Sequence, residues 1–119
     1  MPVTLLFFGA WCSLCHDELP PLARAVHRQQ SGSSPLKRMA VVGVDSVDSP
    51  SVAAAFARSS HVTFPVGSDG DARVTSSLYG FTGDPYAVFV SGNGKIVAIH
   101  RGPLSVSQFI DLERMALSK

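Results

Sequence analysis

Two cysteines, Cys12 and Cys15, are the whole thiol content of this 119-residue chain, and they stand in the stretch Phe8–Pro20, FGAWCSLCHDELP. Their C-x-x-C spacing, just after an apolar run, is that of a redox dithiol. With His16 added, the same residues read C-x-x-C-H, the attachment signature of a c-type haem. Zinc is a third use for paired thiols, with His16 or His27 as further ligands. Two cysteines this close in sequence do not make the disulfide framework of a small secreted scaffold, so their use is chemical.

The surrounding residues separate these chemistries. A haem c domain needs a helical pocket and a distant axial ligand. Here the motif follows a predicted buried strand, and Met39 and Met115 fall in a predicted strand and helix. A closed zinc site needs four ligands, and there is one cysteine pair with no second pair at metal spacing. The redox reading accounts for more. A cysteine at a helix start faces unpaired N–H groups and the positive end of the helix dipole, which favours its thiolate. Cys12 holds that position and is expected to be the nucleophile. Cys15, one turn later and more enclosed, is expected to resolve the mixed disulfide by attacking the Cys12 sulfur. An inert buried pair is the alternative, and Trp11 and the helix start weigh against it.

The elements that must hold this dithiol follow from pattern. Val3–Phe8 is apolar nearly throughout, as in a strand buried on both faces. From Ser13 to about Gln30, Leu19, Leu22, Ala23 and Val26 recur at helical spacing, with Pro20 and Pro21 expected to kink the early part. Ser31–Pro35 is a loop and Met39–Val44 a second buried strand, which completes a βαβ unit. Ser49 followed by Pro50 opens a helix to about Ser59. Phe64–Val66 is too short to assign, and Asp71 caps a short expected helix that Gly80 ends. Tyr86–Val90 and Lys95–Ile99 flank Ser-Gly-Asn-Gly, a hairpin signal that makes them antiparallel neighbours. Ser105 and Gln108 form a capping box before a last helix carrying Val106, Phe109 and Ile110. The reading is one α/β domain over residues 1–119, a mixed sheet flanked by helices.

Composition narrows the partners. Ten basic and nine acidic side chains give a formal net charge of +1, with no long run of one sign to track nucleic acid. No stretch approaches the roughly 20 apolar residues of a membrane span. The amino end shows no signal-peptide pattern, which leaves a cytoplasmic protein or a domain trimmed from a longer precursor.

Trp11-Cys12-Ser-Leu-Cys15 with Glu18-Leu-Pro20 resembles the W-C-x-x-C-x-x-E-x-P signature of TlpA-like and ResA-like thiol-disulfide oxidoreductases in the thioredoxin superfamily. The similarity continues through Phe64–Val66, Tyr79–Pro85, Phe89-Val90 and Gly94–Val97. It implies a thioredoxin-like fold and disulfide exchange with protein substrates, with an upstream thiol reductant as second partner, no bound cofactor, a monomer, and an extracytoplasmic setting. It implies that Pro85 is a cis-proline packed beside the dithiol, with Trp11 and Asp84 bordering the substrate groove, Asp84 standing where the family more usually has an uncharged residue. Glu18 matches the acidic residue that handles protons near the dithiol, although a first-turn glutamate would also simply suit the helix dipole. Peroxiredoxins share the fold, but their motif places a threonine shortly before the cysteine, where Gly9-Ala10-Trp11 stands here. A binding module without turnover is the remaining alternative.

Overall fold

The computed structural model describes residues 1–69 and 85–119. The central strand β1 (Val3–Phe8) leads into α1 (Ser13–Ser31), a short 3₁₀ turn at Pro35–Arg38, and β2 (Ala40–Ser46). Then come α2 (Pro50–Ser59), β3 (Val66–Asp69), β4 (Tyr86–Val90), β5 (Ile96–Arg101) and α3 (Val106–Ser118). The five strands form one sheet in the order β3-β2-β1-β4-β5. β1 runs parallel to β2, with Phe7 opposite Val44 and Phe8 opposite Asp45, and antiparallel to β4. β3 joins β2 in parallel and β5 joins β4 antiparallel.

Alternation along β1 explains why its whole run is apolar. Leu6 and Phe8 point into the main core, whereas Phe7 packs with Tyr86 and Val88 in a second cluster. Successive strand residues face opposite sides of a sheet, so both faces of β1 are covered. The main core gathers Leu19, Leu22 and Val26 of α1, Phe89 of β4 and Phe109 of α3. Phe89 and Phe109 are fully buried, and burial of each such ring is worth about 2–3 kcal/mol.

Local signals set the ends. The Ser49 hydroxyl accepts from Val52 N–H ahead of Pro50. The Ser105 and Gln108 side chains exchange hydrogen bonds as a complete capping box. The β4–β5 turn closes through Gly94 N–H on Ser91 O, with Gly94 at a φ of 84° that a side chain would oppose. α1 runs on through Pro20 and Pro21. Three strands depart from expectation: β5 starts one residue later than Lys95 and runs on to Arg101. β2 begins one residue later and extends to Ser46, and β3 forms at Val66–Asp69, where the apolar pattern is thin. The helix expected from Asp71 to Gly80 lies outside the described residues.

Candidate active site

The C-terminal end of β1 delivers the chain to the dithiol through a tight turn, Cys12 N–H donating to Gly9 O at 3.1 Å. Cys12 is the N-cap of α1 with extended backbone. The Cys15 N–H donates to Cys12 Sγ at 3.2 Å. A sulfur thus takes the place that a serine or aspartate oxygen usually fills, sharing the Cys15 N–H with the Cys12 carbonyl, which lies 3.1 Å from the same nitrogen. Cys12 and Cys15 are joined as a disulfide, with Cα atoms 5.2 Å apart. Both are buried, Cys12 at 5% exposure and Cys15 at 1%, which keeps the expected order by a narrow margin.

Trp11 lies beside the dithiol with 41% of its surface exposed, and its indole Nε1–H donates to Ser46 O at 2.8 Å. The ring lies over Gly9, where a Cβ would come within 2.1 Å of Nε1, so only glycine admits it. Leu14 (43%) and Val47 (55%) are also exposed.

Glu18 corrects one expectation. With Cys12 as N-cap, it is six residues into α1, beyond the first turn, where no acidic residue stands. Its side chain turns to the β5–α3 loop and accepts the Leu104 N–H. It borders a small cavity lined by Phe8, Leu19, Leu22, Tyr86 and Leu104. Burial pushes its pKa up to about 7, against the opposing pull of the Leu104 amide and of His100.

Pro85 is fully buried and its carbonyl accepts Gly102 N–H at 2.7 Å. No peptide bond among the described residues is cis. The bond expected to be cis joins Asp84 to Pro85, and Asp84 lies outside the described residues. Among the described residues, no group of three or more His, Cys, Asp or Glu side chains gathers as a metal site. The His16 ring instead lies 4.7 Å from the Phe56 ring, with Nε2 2.7 Å from Ala10 O.

Sequence reasoning missed the acids behind this turn. Asp48 Oδ2 accepts Ala10 N–H at 2.6 Å. Asp45, fully buried, faces Asp48. The only sequence trace is Asp45 ending an apolar strand, an unusual residue for a buried position.

Residues 1–99 match the AhpC/TSA family. The chain belongs to the AhpC/TSA family. No curated protein matches it by sequence. Among solved structures, it is similar to MTB DsbF, in mixed oxidised and reduced forms, at 23% identity and a TM-score of 0.82, covering 98% of this chain and 81% of that one. A secreted Mycobacterium tuberculosis disulfide oxidoreductase homologous to E. coli DsbE matches at 19% identity and a TM-score of 0.75, with 99% and 81% covered. StoA from Bacillus subtilis matches at 23% identity and a TM-score of 0.76, with 94% and 81% covered. The AhpC/TSA chain thus has the thioredoxin-like fold that its motifs imply, a fold it shares with the secreted disulfide oxidoreductase among these structures. Among the described residues, no helix is long and apolar enough to cross a membrane.

Proposed function

We propose that this AhpC/TSA-family chain is a thiol-disulfide oxidoreductase that reduces disulfides of protein substrates. The observation that carries this reading is the Cys12–Cys15 disulfide at the start of α1, with Cys12 Sγ accepting the Cys15 N–H. That amide and the helix dipole favour a thiolate on Cys12 once the pair is reduced.

In the forward step, Cys12 thiolate attacks one sulfur of a substrate disulfide, forming a mixed disulfide and expelling the first substrate thiolate. Cys15 gives up its proton and attacks Cys12 Sγ, which expels the second substrate thiolate and closes the Cys12–Cys15 bond. Two electrons pass to the substrate, and an upstream dithiol restores the reduced enzyme by the reverse exchange. Glu18, one turn beyond Cys15, is the group assigned to take up that proton, because a carboxyl with a pKa of about 7 exchanges protons readily near neutrality.

The exposed apolar side chains of Trp11, Leu14 and Val47 support a protein as substrate. The family resemblance assigns Pro85 and Asp84 to the same groove, Asp84 lying outside the described residues. The chain works as a single domain and a monomer, without a bound cofactor, outside the cytoplasm; for the last, the support is the secreted disulfide oxidoreductase among its structural neighbours. Insulin reduction by dithiothreitol tests the reading. Acceleration that is lost in Cys12→Ser is expected. Consumption of hydrogen peroxide without insulin reduction would replace it with peroxide chemistry, and neither activity would leave a binding module.

A further inference from the structure

Ala10 and Trp11, the two residues before the nucleophile, are held from three sides. Asp48 Oδ2 takes the Ala10 N–H at 2.6 Å, His16 Nε2 lies 2.7 Å from the Ala10 carbonyl, and Ser46 O takes the Trp11 indole at 2.8 Å. Ser46 and Asp48 converge on this dipeptide because Val47 between them has a φ of 75°. A β-branched residue in that region is strained, and such strain persists only where surrounding contacts hold it.

Behind Asp48 lies an acid that the proposed mechanism does not use. Asp45 has no exposed surface, and neither carboxyl oxygen meets a donor group among the described residues. What it faces is the Asp48 carboxyl. Two carboxylates in contact are bonded only by a proton held between them, so the pair carries one negative charge when the turn is held.

We propose that Asp48 is a positioning residue for Cys12, and that a proton shared between Asp45 and Asp48 latches the Ala10–Trp11 turn to the end of β2. Asp45 supplies the proton, leaving the Asp48 carboxylate to accept the Ala10 N–H. Loss of the proton puts two negative charges against each other, and separating them releases Ala10. Burial, and then the adjoining Asp48 carboxyl, push the Asp45 pKa up to about 8, so release falls on the alkaline side of neutrality. Among the described residues, the other titratable groups on the elements beside the pair are His16 at the start of α1, with Cys12 when reduced, and Asp69 on β3, paired across from Ser46. As far as it concerns Cys12, the proposal rests on the redox reading; the latch itself does not.

The chain has one tryptophan, so its indole N–H gives a single resonance. The test follows that signal and the Ala10 amide by ¹⁵N NMR between about pH 6 and 9.5, in the oxidised protein, where no thiol titrates. In the wild type both signals should move together with a midpoint near pH 8. In Asp45→Asn, whose amide supplies a permanent hydrogen bond to Asp48, that transition should vanish and the low-pH positions persist. In Asp48→Ala the Ala10 amide should sit at its released position throughout. The same transition in Asp45→Asn as in the wild type would overturn the latch, as would an Ala10 amide that ignores both pH and Asp48→Ala. If Asp48→Ala fails to fold, Asp45→Asn decides alone. In insulin reduction, the rate of Asp45→Asn relative to wild type should rise about fivefold from pH 7 to pH 9, the worth of roughly one ordinary hydrogen bond. A flat ratio with the NMR transition present would overturn the positioning of Cys12. Wild type inactive on insulin with the NMR transition intact would remove the redox reading and leave the latch standing.

Discussion

Replacing Glu18 by glutamine should lower the pKa of Cys15 by about one unit. Side chains three apart on a helix have Cβ atoms about 5–6 Å from each other. At about 6 Å and an effective dielectric near 20, the repulsion between a Glu18 carboxylate and a Cys15 thiolate is about 2.8 kcal/mol. Partial exposure of Glu18 and solvent at the mouth of the site leave about half of this, and 1.36 kcal/mol corresponds to one pKa unit. Because the Glu18 pKa lies at about 7, the carboxylate is already charged when Cys15 titrates. The assay is thiolate ultraviolet absorbance against pH, in a Cys12→Ser background so that only Cys15 contributes. Glutamine keeps an oxygen for the Leu104 N–H, so the fold contact survives. The stability profile is a second check. Glu18 is protonated in the folded chain above the pH at which the unfolded chain ionises, so the wild type loses stability as pH rises from about 4.5 to about 7. Glu18→Gln should flatten that decline. A Cys15 midpoint that moves by less than about 0.3 units, or upwards, would refute the coupling and return Glu18 to holding the β5–α3 loop.

Three further outcomes are expected. Cys15→Ser should accumulate mixed disulfides with substrate proteins, visible on non-reducing gels, while Cys12→Ser should not; trapping by the latter alone would reverse the two roles. Gly9→Ala drives a methyl into the Trp11 ring, and the urea midpoint should fall by an amount equivalent to about 1–3 kcal/mol, with a shift in tryptophan emission; an unchanged emission spectrum would mean that the indole does not lie over Gly9. Glu113, fully buried with Thr4 Oγ1 donating to it at 3.1 Å, is pushed up to about 7 by burial. It therefore contributes most below about pH 4.5 and costs stability progressively up to pH 7, so the advantage of Glu113→Gln in denaturant titrations should grow by up to about 3 kcal/mol between pH 5 and pH 8; an equal difference at both pH values would count against a neutral buried glutamic acid.

Much of the fold was legible because its signals are local. β1 announces itself by an apolar run that only two covered faces explain, α2 by Ser49-Pro50, and α3 by the Ser105–Gln108 box. β3 was not legible, since Gly67 and Ser68 have little strand preference of their own and are held by pairing with Val44 and Asp45 of β2. The dithiol could be read because its chemistry needs a fixed spacing on one helix start. Glu18 was misread in one respect: its meaning depends on where α1 begins and on Leu104, 86 positions away. Asp48 meets Ala10 across 38 positions, a contact that no local pattern carries. The Asp84–Pro85 bond expected to be cis and the Asp84 side chain fall beyond the described residues.

The Cys12–Cys15 bond spans a sequence separation of only 3. Closing so short a ring removes little freedom from a denatured chain, about 2 kcal/mol on a chain-entropy estimate against about 4.7 kcal/mol for a 100-residue loop. Opening and closing it at each turnover therefore leaves the sheet that carries the site largely indifferent to redox state. Whatever difference in melting separates the oxidised and reduced proteins beyond that modest sum must arise in the native state, from the helix amide at Cys12 and the acids around it. By thermodynamic closure, the whole difference in unfolding free energy between the two forms measures how far the fold moves the dithiol potential away from that of the same short ring in the unfolded chain.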